Sequence, residues 1–118
     1  MDKYATGLCG EVIAREFLEN KKYKIIDTNV SFHNIGEIDL VAEDGDTLVF
    51  VEVRTRADNK FGNPLETLTP SKRKKIVAAS RRYLMQSNKN TYSAYRYDVI
   101  GIIHDSITHI ENAFYAYW

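Results

Sequence analysis

The sequence predicts a mixed α/β domain with the element order α-β-β-β-α-β-β. Two segments carry apolar residues at helical spacing, and the segments around them alternate polar and apolar residues with a period of two. The clearest alternations flank an acidic turn. At 118 residues the chain fits one domain with a real core, so residues 1–118 are expected to form one unit, a mixed sheet with helices packed on it.

The first helix is predicted over residues 4–20. Its apolar arc at 3.6-residue spacing comprises Gly7, Gly10, Ile13, Ala14, Phe17 and Leu18. Glu11 lies at the edge of that arc. It is interpreted either as a site acid or as a surface carboxylate that favours the first turns of a helix. Cys9 is expected in the core as a small residue, and a first strand is predicted over 24–32.

Residues 36–56 are predicted to form a β-hairpin, with strands over 36–43 and 47–56. A two-residue loop at Gly45-Asp46 would set Asp39 directly opposite Glu52, whereas a loop at Asp44-Gly45 would set them on the diagonal. In both registers, strict alternation predicts one shared face for four polar side chains: Glu37, Asp39, Glu52 and Arg54.

Asp39 and Glu52 are therefore expected to have Cβ atoms roughly 5 to 8 Å apart. Two carboxylates that close repel, so one of them takes up a proton unless a cation lies between them. A hard divalent ion such as Mg²⁺ resolves the repulsion, and Arg54 on the same face can hold a phosphate beside it. The alternative is a solvated strand face with an ordinary cross-strand ion pair.

The net charge of zero hides a basic segment. Between Glu66 and Asp98 there are eight bases and no acid, so this segment carries +8 and the remainder −8. It contains a helix predicted from Thr69 as N-cap to residue 86 or 87. The predicted buried stripe is Ile76, Val77, Ser80, Tyr83 and Leu84, and the opposite face carries Lys74, Lys75, Arg81 and Arg82. Such a cluster is typical of phosphate-binding surfaces, although a solvated helix face is the alternative.

The remaining segments complete the predicted order. Residues 57–68 are expected to form a polar loop, residues 95–103 a strand covered on both faces, and residues 107–112 a short fifth strand. The aromatic tail, residues 114–118, is expected to pack on the sheet rather than to stack on nucleic-acid bases.

Several classes of protein are excluded by composition. No apolar run approaches the roughly 20 residues of a membrane span, and the first residues show no signal-peptide pattern. One cysteine excludes an internal disulfide and a multi-cysteine zinc site. These features favour a cytoplasmic protein.

The spaced motifs, taken together, resemble the PD-(D/E)xK nuclease superfamily. Within it the chain is similar to the YraN-like uncharacterised bacterial family, which resembles archaeal Holliday-junction resolvases. The resemblance covers nearly the whole chain and rests on Gly10-Glu11, GEIDLVA at 36–42, LVFVEVRTR at 48–56, Gly62 to Glu66, Lys72, and Arg96 to Val99. It implies a restriction-endonuclease-like fold.

The resemblance also implies an activity: DNA phosphodiester hydrolysis with Mg²⁺ or Mn²⁺, with branched DNA as one candidate substrate. By position, Glu11, Asp39 and Glu52 correspond to the metal-binding acids, and Arg54 stands where the superfamily usually has its catalytic lysine. Arginine cannot lose its proton as lysine can, so water activation would fall to the metal. The expected nucleic-acid-binding residues are Lys72, Lys74, Lys75, Arg81, Arg82 and Arg56.

Two other functions stay open at this point. A nucleic-acid-binding protein that has the fold without the chemistry would explain Arg54. The retained acids argue against it, because paired carboxylates are unfavourable on a surface that only binds phosphate. The third alternative is a scaffold protein without a nucleic-acid role, against which the basic segment argues. Junction-resolving relatives act as dimers because they cut two strands symmetrically, and the sequence indicates no dimer face.

Overall fold

The computed structural model describes residues 9–56, 64–87, 91–104 and 106–116. The helices are α1 (Gly10–Asn20), a short 3₁₀ helix (Pro64–Thr67) and α2 (Pro70–Ser87). The strands are β1 (Lys24–Phe32), β2 (Gly36–Asp44), β3 (Thr47–Arg56), β4 (Ala94–Ile103) and β5 (Ser106–Phe114). This order confirms the predicted α/β fold class.

The element bounds agree closely with the sequence pattern. β1 and β3 have the predicted bounds, and β2 and β4 are each one residue longer. The predictions for residues 4–8, 57–63 and 117–118 lie outside the described residues, and the 3₁₀ helix lies within the predicted loop. β5 is three residues longer than predicted. In the aromatic tail Phe114 is buried, as predicted, but the prediction is wrong for Tyr115, which is 58% exposed because it follows the end of β5. The prediction for Cys9 is wrong: it is exposed, because it occupies the N-cap of α1 rather than the helix face that packs on the sheet.

The five strands form one mixed sheet in the order β1-β2-β3-β4-β5. β1, β2 and β3 are antiparallel neighbours, β3 and β4 are parallel, and β4 and β5 are antiparallel. A parallel pair needs a crossover connection, and α2 provides it between β3 and β4. No helix among the described residues is long and apolar enough to cross a membrane.

The hairpin of β2 and β3 has the two-residue loop Gly45-Asp46, the first of the two predicted registers. The cross-strand pairs begin with Asp44 opposite Thr47 and end with Leu40 opposite Val51. Beyond Leu40 the chain of β2 stays paired with β1, whereas β3 continues along β4 from Glu52–Val99 to Arg56–Ile103. The two strands therefore separate into a fork at Asp39 and Glu52.

Each face of the sheet carries its own apolar core. On one face α1 packs through Ile13, Ala14 and Leu18 against a cluster that includes Val49, Val51 and Ile100. On the other face α2 packs through Ile76, Val77 and Tyr83 against a cluster that includes Phe50 and Val99. The neighbouring residues Val99 and Ile100 belong to opposite cores, which confirms that β4 is covered on both faces.

Two glycines allow helices to approach the sheet closely. A Cβ atom at Gly36 would lie 2.4 Å from the backbone oxygen of Lys75 in α2. A Cβ atom at Gly101 would lie 1.8 Å from Cγ of Pro64 in the 3₁₀ helix. Side chains at these positions would push both helices away, so the glycines set the position of the walls around the fork.

Candidate functional site: an acidic cleft at the fork of the sheet

The side-chain alternation of β2 changes phase at Asp39. Gly36 faces Lys75 of α2 and Ile38 belongs to the α2 core, whereas Leu40, two residues after Ile38, belongs to the α1 core. Strict alternation, as predicted, would put Ile38 and Leu40 on the same face. The predicted common face is therefore replaced by an irregular segment, and Asp39 lies within it.

The fork is closed by a side chain rather than by the backbone ladder. The backbone N–H of Val53 donates a 2.8 Å hydrogen bond to Oδ2 of Asp39. The carboxyl groups of Asp39 and Glu52 also lie close enough to affect each other's pKa. The Glu52 side chain is only 9% exposed, so the two acids form a mostly buried pair.

Burial raises the pKa of both carboxyl groups. For Glu52, burial and then the charge of Asp39 raise the pKa to about 7. For Asp39, burial also raises the pKa, and the Val53 hydrogen bond partly offsets that increase. Near neutral pH the pair therefore holds a proton when no cation compensates its charge.

Two acids in this state fit a hard divalent cation. Carboxylate oxygens are the donors that Mg²⁺ takes in proteins, and the ion usually keeps several of its waters. A cation between Asp39 and Glu52 would replace the shared proton and relieve the repulsion that raises the pKa of Glu52.

Two basic side chains reach the cleft from different elements. Nζ of Lys72 lies 3.9 Å from Oε1 of Glu52. Arg54 instead donates from Nε to Oγ1 of Thr67 at 3.2 Å and from a terminal nitrogen to the Thr67 carbonyl at 3.4 Å. The Thr67 hydroxyl in turn donates to the carbonyl of Pro64 at 2.8 Å. Arg54 is thus anchored to the 3₁₀ helix, and Lys72 forms the ion pair with Glu52.

The position of Lys72 follows from the way α2 begins. Thr69 is the predicted N-cap, and its hydroxyl accepts a 3.1 Å hydrogen bond from the backbone N–H of Lys72. This cap fixes the first turn of α2 beside the fork, because it satisfies a backbone donor that the helix itself leaves unpaired. The cap and the ion pair therefore orient the same residue.

These groups line an open cleft of about 720 Å³. Its first wall is the segment 31–37, which joins β1 to β2, and its second wall is the start of α2. The four side chains that the sequence assigned to one face all line it, together with two lysines from α2: Glu37, Asp39, Glu52, Arg54, Lys72 and Lys75. Acids and cations therefore meet within one cleft.

Glu11 is not among the residues that line the cleft. It lies in the first turn of α1. Gly10 of the same turn packs against the other face of β3, since a Cβ atom there would lie 2.3 Å from Cγ2 of Thr55. In the part of the chain that the structure describes, no group of three or more Asp, Glu, His or Cys side chains is arranged to hold a metal. The structure thus brings together two of the three predicted metal-binding acids.

The predicted basic residues are distributed over separate surfaces. Lys72 and Lys75 line the acidic cleft, whereas Lys74 and Arg81 line grooves on the other flank of α2. Arg82 is exposed on α2. Arg56 ends β3 and is paired with Ile103 of β4.

Two further bases of the basic segment have internal partners. Arg73 donates to the carbonyls of Leu65 and Leu68 at 3.1 and 3.0 Å, and so it holds the 3₁₀ helix. Arg96 pairs with Asp98 at 2.8 Å and with Asp44 at 3.1 Å. The charge count of the sequence therefore overstates how many bases of this segment lie on the surface without internal partners of this kind.

Asp98 is the centre of a polar cluster near the α1 core, away from the cleft. It accepts hydrogen bonds from Arg96, from the Asn112 N–H and from Nε2 of His109, the last at 2.7 Å. Nδ1 of His109 lies 2.8 Å from Nζ of Lys21, which can only donate, so the His109 proton is on Nε2. Although burial opposes it, the hydrogen bonds from His109 and Arg96 lower the pKa of Asp98. Every Asp98 oxygen is satisfied, which indicates a structural cluster.

Sequence reasoning missed Thr67 as the anchor of Arg54 and the segment 31–37 as a wall of the cleft. No motif marks Thr67, whose role depends on where the 3₁₀ helix lies. The signal for the wall was present in His33 and Asn34, two polar residues directly before the acidic strand, but polar turn residues are common.

Comparison with known proteins gives consistent matches over the full length. A family model described as "Uncharacterised protein family UPF0102" matches residues 10–102. A UPF0102 protein of Chlorobium limicola is 40% identical over 124 residues, covering 99% of this chain and 95% of that protein. UPF0102 proteins of Clostridioides difficile and Syntrophomonas wolfei are 39% and 42% identical, covering 97% and 92% of this chain and 100% and 96% of those proteins.

Proposed function

For this chain, which belongs to the uncharacterised protein family UPF0102, we propose a divalent-cation-dependent nuclease that hydrolyses phosphodiester bonds in DNA. The observation that carries the proposal is the pairing of the buried Glu52 with the half-buried Asp39, beside Lys72 and Arg54 in an open cleft. Without a cation this pair of acids shares a proton or carries negative charge, and negative charge repels phosphate. The pair is therefore unfavourable on a surface that only binds phosphate. Beside basic side chains, the same pair suits phosphodiester hydrolysis.

Asp39 and Glu52 are the residues that would hold Mg²⁺ or Mn²⁺. When bound, the ion supplies Lewis-acid stabilisation of the phosphate and lowers the pKa of a bound water. In the reaction a water oxygen bonds to phosphorus as that water gives up one proton, the bond from phosphorus to one sugar oxygen breaks, and the leaving oxygen takes up a proton from solvent. Lys72 supplies a positive charge for the non-bridging phosphate oxygens, since its ammonium is half-exposed beside Glu52.

Arg54 has a different role in this proposal. Thr67 takes up Nε and one terminal nitrogen, which leaves further N–H donors of the guanidinium for a phosphate. A planar guanidinium orients phosphate through its fixed donors and is a poor base for water, so Arg54 positions the phosphate in this proposal.

A second candidate function is DNA binding without cleavage. Two observations favour it: the guanidinium of Arg54 is bonded to Thr67, and Glu11 lies apart from the cleft. The basic residues of α2 would then supply affinity alone, through phosphate contacts that weaken as salt rises.

The test is a nicking assay on duplex, flap and four-way DNA, in Mg²⁺, Mn²⁺ and EDTA. Glu52→Gln should abolish cation-dependent nicking. The matched control is Glu37→Gln, which removes the same charge from an exposed position in the same cleft and should retain nicking. Binding of DNA without nicking in any of these conditions would favour the second candidate. Sedimentation in the same buffers tests the homodimer that symmetric cutting of two strands would require.

A further inference from the structure

A second concave surface lies on the flank of α2 that faces away from the acidic cleft. It consists of two adjoining grooves of about 520 and 260 Å³ that share Phe114 and Tyr115. We call it the α2–β5 groove, and the residues used below are Lys74, Val77, Arg81, Tyr95, Phe114 and Tyr115. Neither the proposed chemistry nor the family description assigns a role to this surface.

The floor of the α2–β5 groove is apolar and well ordered by packing. The Phe114 ring stacks on the Tyr97 ring with centroids 5.1 Å apart and an interplanar angle of 17°. Val77 of α2 is buried beside them. The Arg73 guanidinium lies 5.9 Å from the centre of the Phe114 ring while it holds the 3₁₀ helix. A flat ligand that enters the groove therefore meets a fixed surface.

The two walls of the groove differ in chemistry. Lys74 and Arg81 form the helix wall; they are seven residues apart, so they share one flank of α2 about 10 Å from each other along its axis. Tyr115 and Tyr95 form the strand wall, with 58% and 39% of their surface exposed. No acidic side chain occurs among the described residues that line either part of the groove.

This combination favours a particular ligand chemistry. Exposed aromatic rings stack on bases that are not paired, and basic side chains along a groove follow the phosphates of the same strand. In a duplex the base faces are covered by their neighbours, so the tyrosines would have no base face to contact. An acidic peptide would match the lysine and arginine, but it would not need two exposed aromatic rings on the opposite wall.

We propose that the α2–β5 groove binds single-stranded DNA, with Lys74 and Arg81 on the phosphates and Tyr115 stacked on a base. The proposal deepens the proposed function and rests on it for the identity of the strand as DNA. Both surfaces meet at the first turn of α2, where Lys72 lines the cleft and Pro70 lines the groove. The preferred substrate is accordingly DNA in which a single strand adjoins a duplex, such as a flap or a fork.

The test measures fluorescence anisotropy of a labelled 20-nucleotide oligo-dT in EDTA, so that cleavage plays no part. Lys74→Ala with Arg81→Ala should weaken binding about tenfold, and it should flatten the slope of log affinity against log salt by about 1.4, because two phosphate contacts are lost. The charge-matched control is Arg15→Ala with Lys24→Ala, two exposed residues on α1 and at the start of β1. It should bind within about twofold of the wild type.

Tyr115 provides the independent test of stacking. Tyr115→Ala should weaken oligo-dT binding at least about fivefold, whereas Tyr115→Phe, which keeps the ring, should bind like the wild type. Melting temperatures measured in parallel identify any variant that fails to fold. A further comparison is Lys75→Ala with Arg82→Ala; Lys75 lines the cleft, and Arg82 is exposed seven residues further along α2. This pair should affect duplex binding more than oligo-dT binding.

Three outcomes would overturn the inference. The first is oligo-dT binding by the groove variants that equals that of the Arg15 and Lys24 control. The second is an equal loss of duplex and single-strand affinity in all the double variants. The third is self-association that Tyr115→Ala abolishes, which would make the groove an interface between copies of the chain. If Glu52→Gln loses nicking but binds oligo-dT normally, the groove still binds single strands independently of the cleft. If the groove variants bind oligo-dT like the wild type while the wild type nicks DNA normally, the groove inference is rejected and the proposed nuclease function is not.

Discussion

Asp39 accepts the backbone N–H of Val53 at the point where β2 and β3 separate. A backbone donor stabilises the charged form of a carboxyl group, so the proton that the acid pair shares belongs mainly to Glu52. The β2–β3 backbone pairing ends before Val53, so its N–H is available to the Asp39 side chain. The fork of the sheet and the protonation of the acid pair are thus linked.

The first prediction follows from the raised pKa of Glu52. In the unfolded chain Glu52 ionises near its ordinary pKa of 4.5, and in the folded protein near 7. The folded state holds more protons in this window, so stability falls as pH rises from about 4.5 to 7. Glu52→Gln does not ionise and should be more stable than the wild type at pH 8 in EDTA, by on the order of 3 kcal/mol. Urea unfolding from pH 4 to 8 measures the difference.

The control for this prediction is Glu37→Gln, which removes an exposed carboxylate from the same cleft. Its stability relative to the wild type should vary little over the same pH range. If Glu52→Gln and the wild type lose stability in parallel between pH 4.5 and 7, Glu52 ionises normally and the acid pair is not coupled.

The second prediction concerns cation binding. Mg²⁺ or Mn²⁺ at millimolar concentration should raise the melting temperature at pH 8, because a ligand that binds only the native state stabilises it. Asp39→Asn should abolish this increase, since it removes one of the two carboxylates. Differential scanning fluorimetry with Ca²⁺, Mg²⁺, Mn²⁺ and EDTA measures it. A wild type whose melting temperature is the same in all four conditions would contradict the cation site.

The third prediction addresses the arginine in the cleft. Arg54→Lys removes the two hydrogen bonds to Thr67 that a planar guanidinium makes, and it should lower stability by about 1 kcal/mol. Nicking should be reduced but retained, because lysine still offers a point charge to phosphate. Chemical denaturation and gel nicking measure the two effects. Higher activity in Arg54→Lys than in the wild type would instead mean that a titratable base is missing from the natural protein.

The fourth prediction uses the contact between Gly101 and Pro64. Gly101→Ala would place a Cβ atom 1.8 Å from Cγ of Pro64, so the 3₁₀ helix must move. We expect a loss of about 2 to 3 kcal/mol, typical of overpacking, and reduced nicking because Thr67 moves with that helix. Gly45→Ala is the comparison: Gly45 has a φ of +60° but no atom near its Cβ position, so it should cost about 1 kcal/mol. Equal losses in the two variants would contradict the role of the Pro64 contact.

The sequence predicted most of the fold because period-two alternation is clear around the β2–β3 turn, β4 is almost continuously apolar, and α2 carries its apolar residues at helical spacing. It predicted the hairpin loop as one of two alternatives, and the structure has Gly45-Asp46. It did not predict the change of phase at Asp39, since strict alternation is the default that period-two reasoning assumes. That irregularity arises because β2 leaves β3 to follow β1, which is a tertiary event.

Other parts of the site depend on contacts that spacing does not encode. The family resemblance implies Glu11 as a site acid, but Glu11 is not among the residues that line the cleft. The two flanks of α2 also look alike in sequence, and only the positions of β2 and β5 separate Lys75 from Lys74. Arg96 appeared as a free base because its partners Asp98 and Asp44 become neighbours only in the sheet.

The close approach of α2 to Gly36 has a consequence for any DNA that enters the cleft. The backbone of α2 already touches β2, so the two walls have little freedom to separate or to close around a ligand. Most of the shape change on binding must then occur in the nucleic acid. The energy of that change depends on how easily the DNA duplex bends or unstacks. Junctions, nicks and frayed ends deform at lower cost than continuous duplex. A rigid protein can thereby select a DNA structure without reading any base.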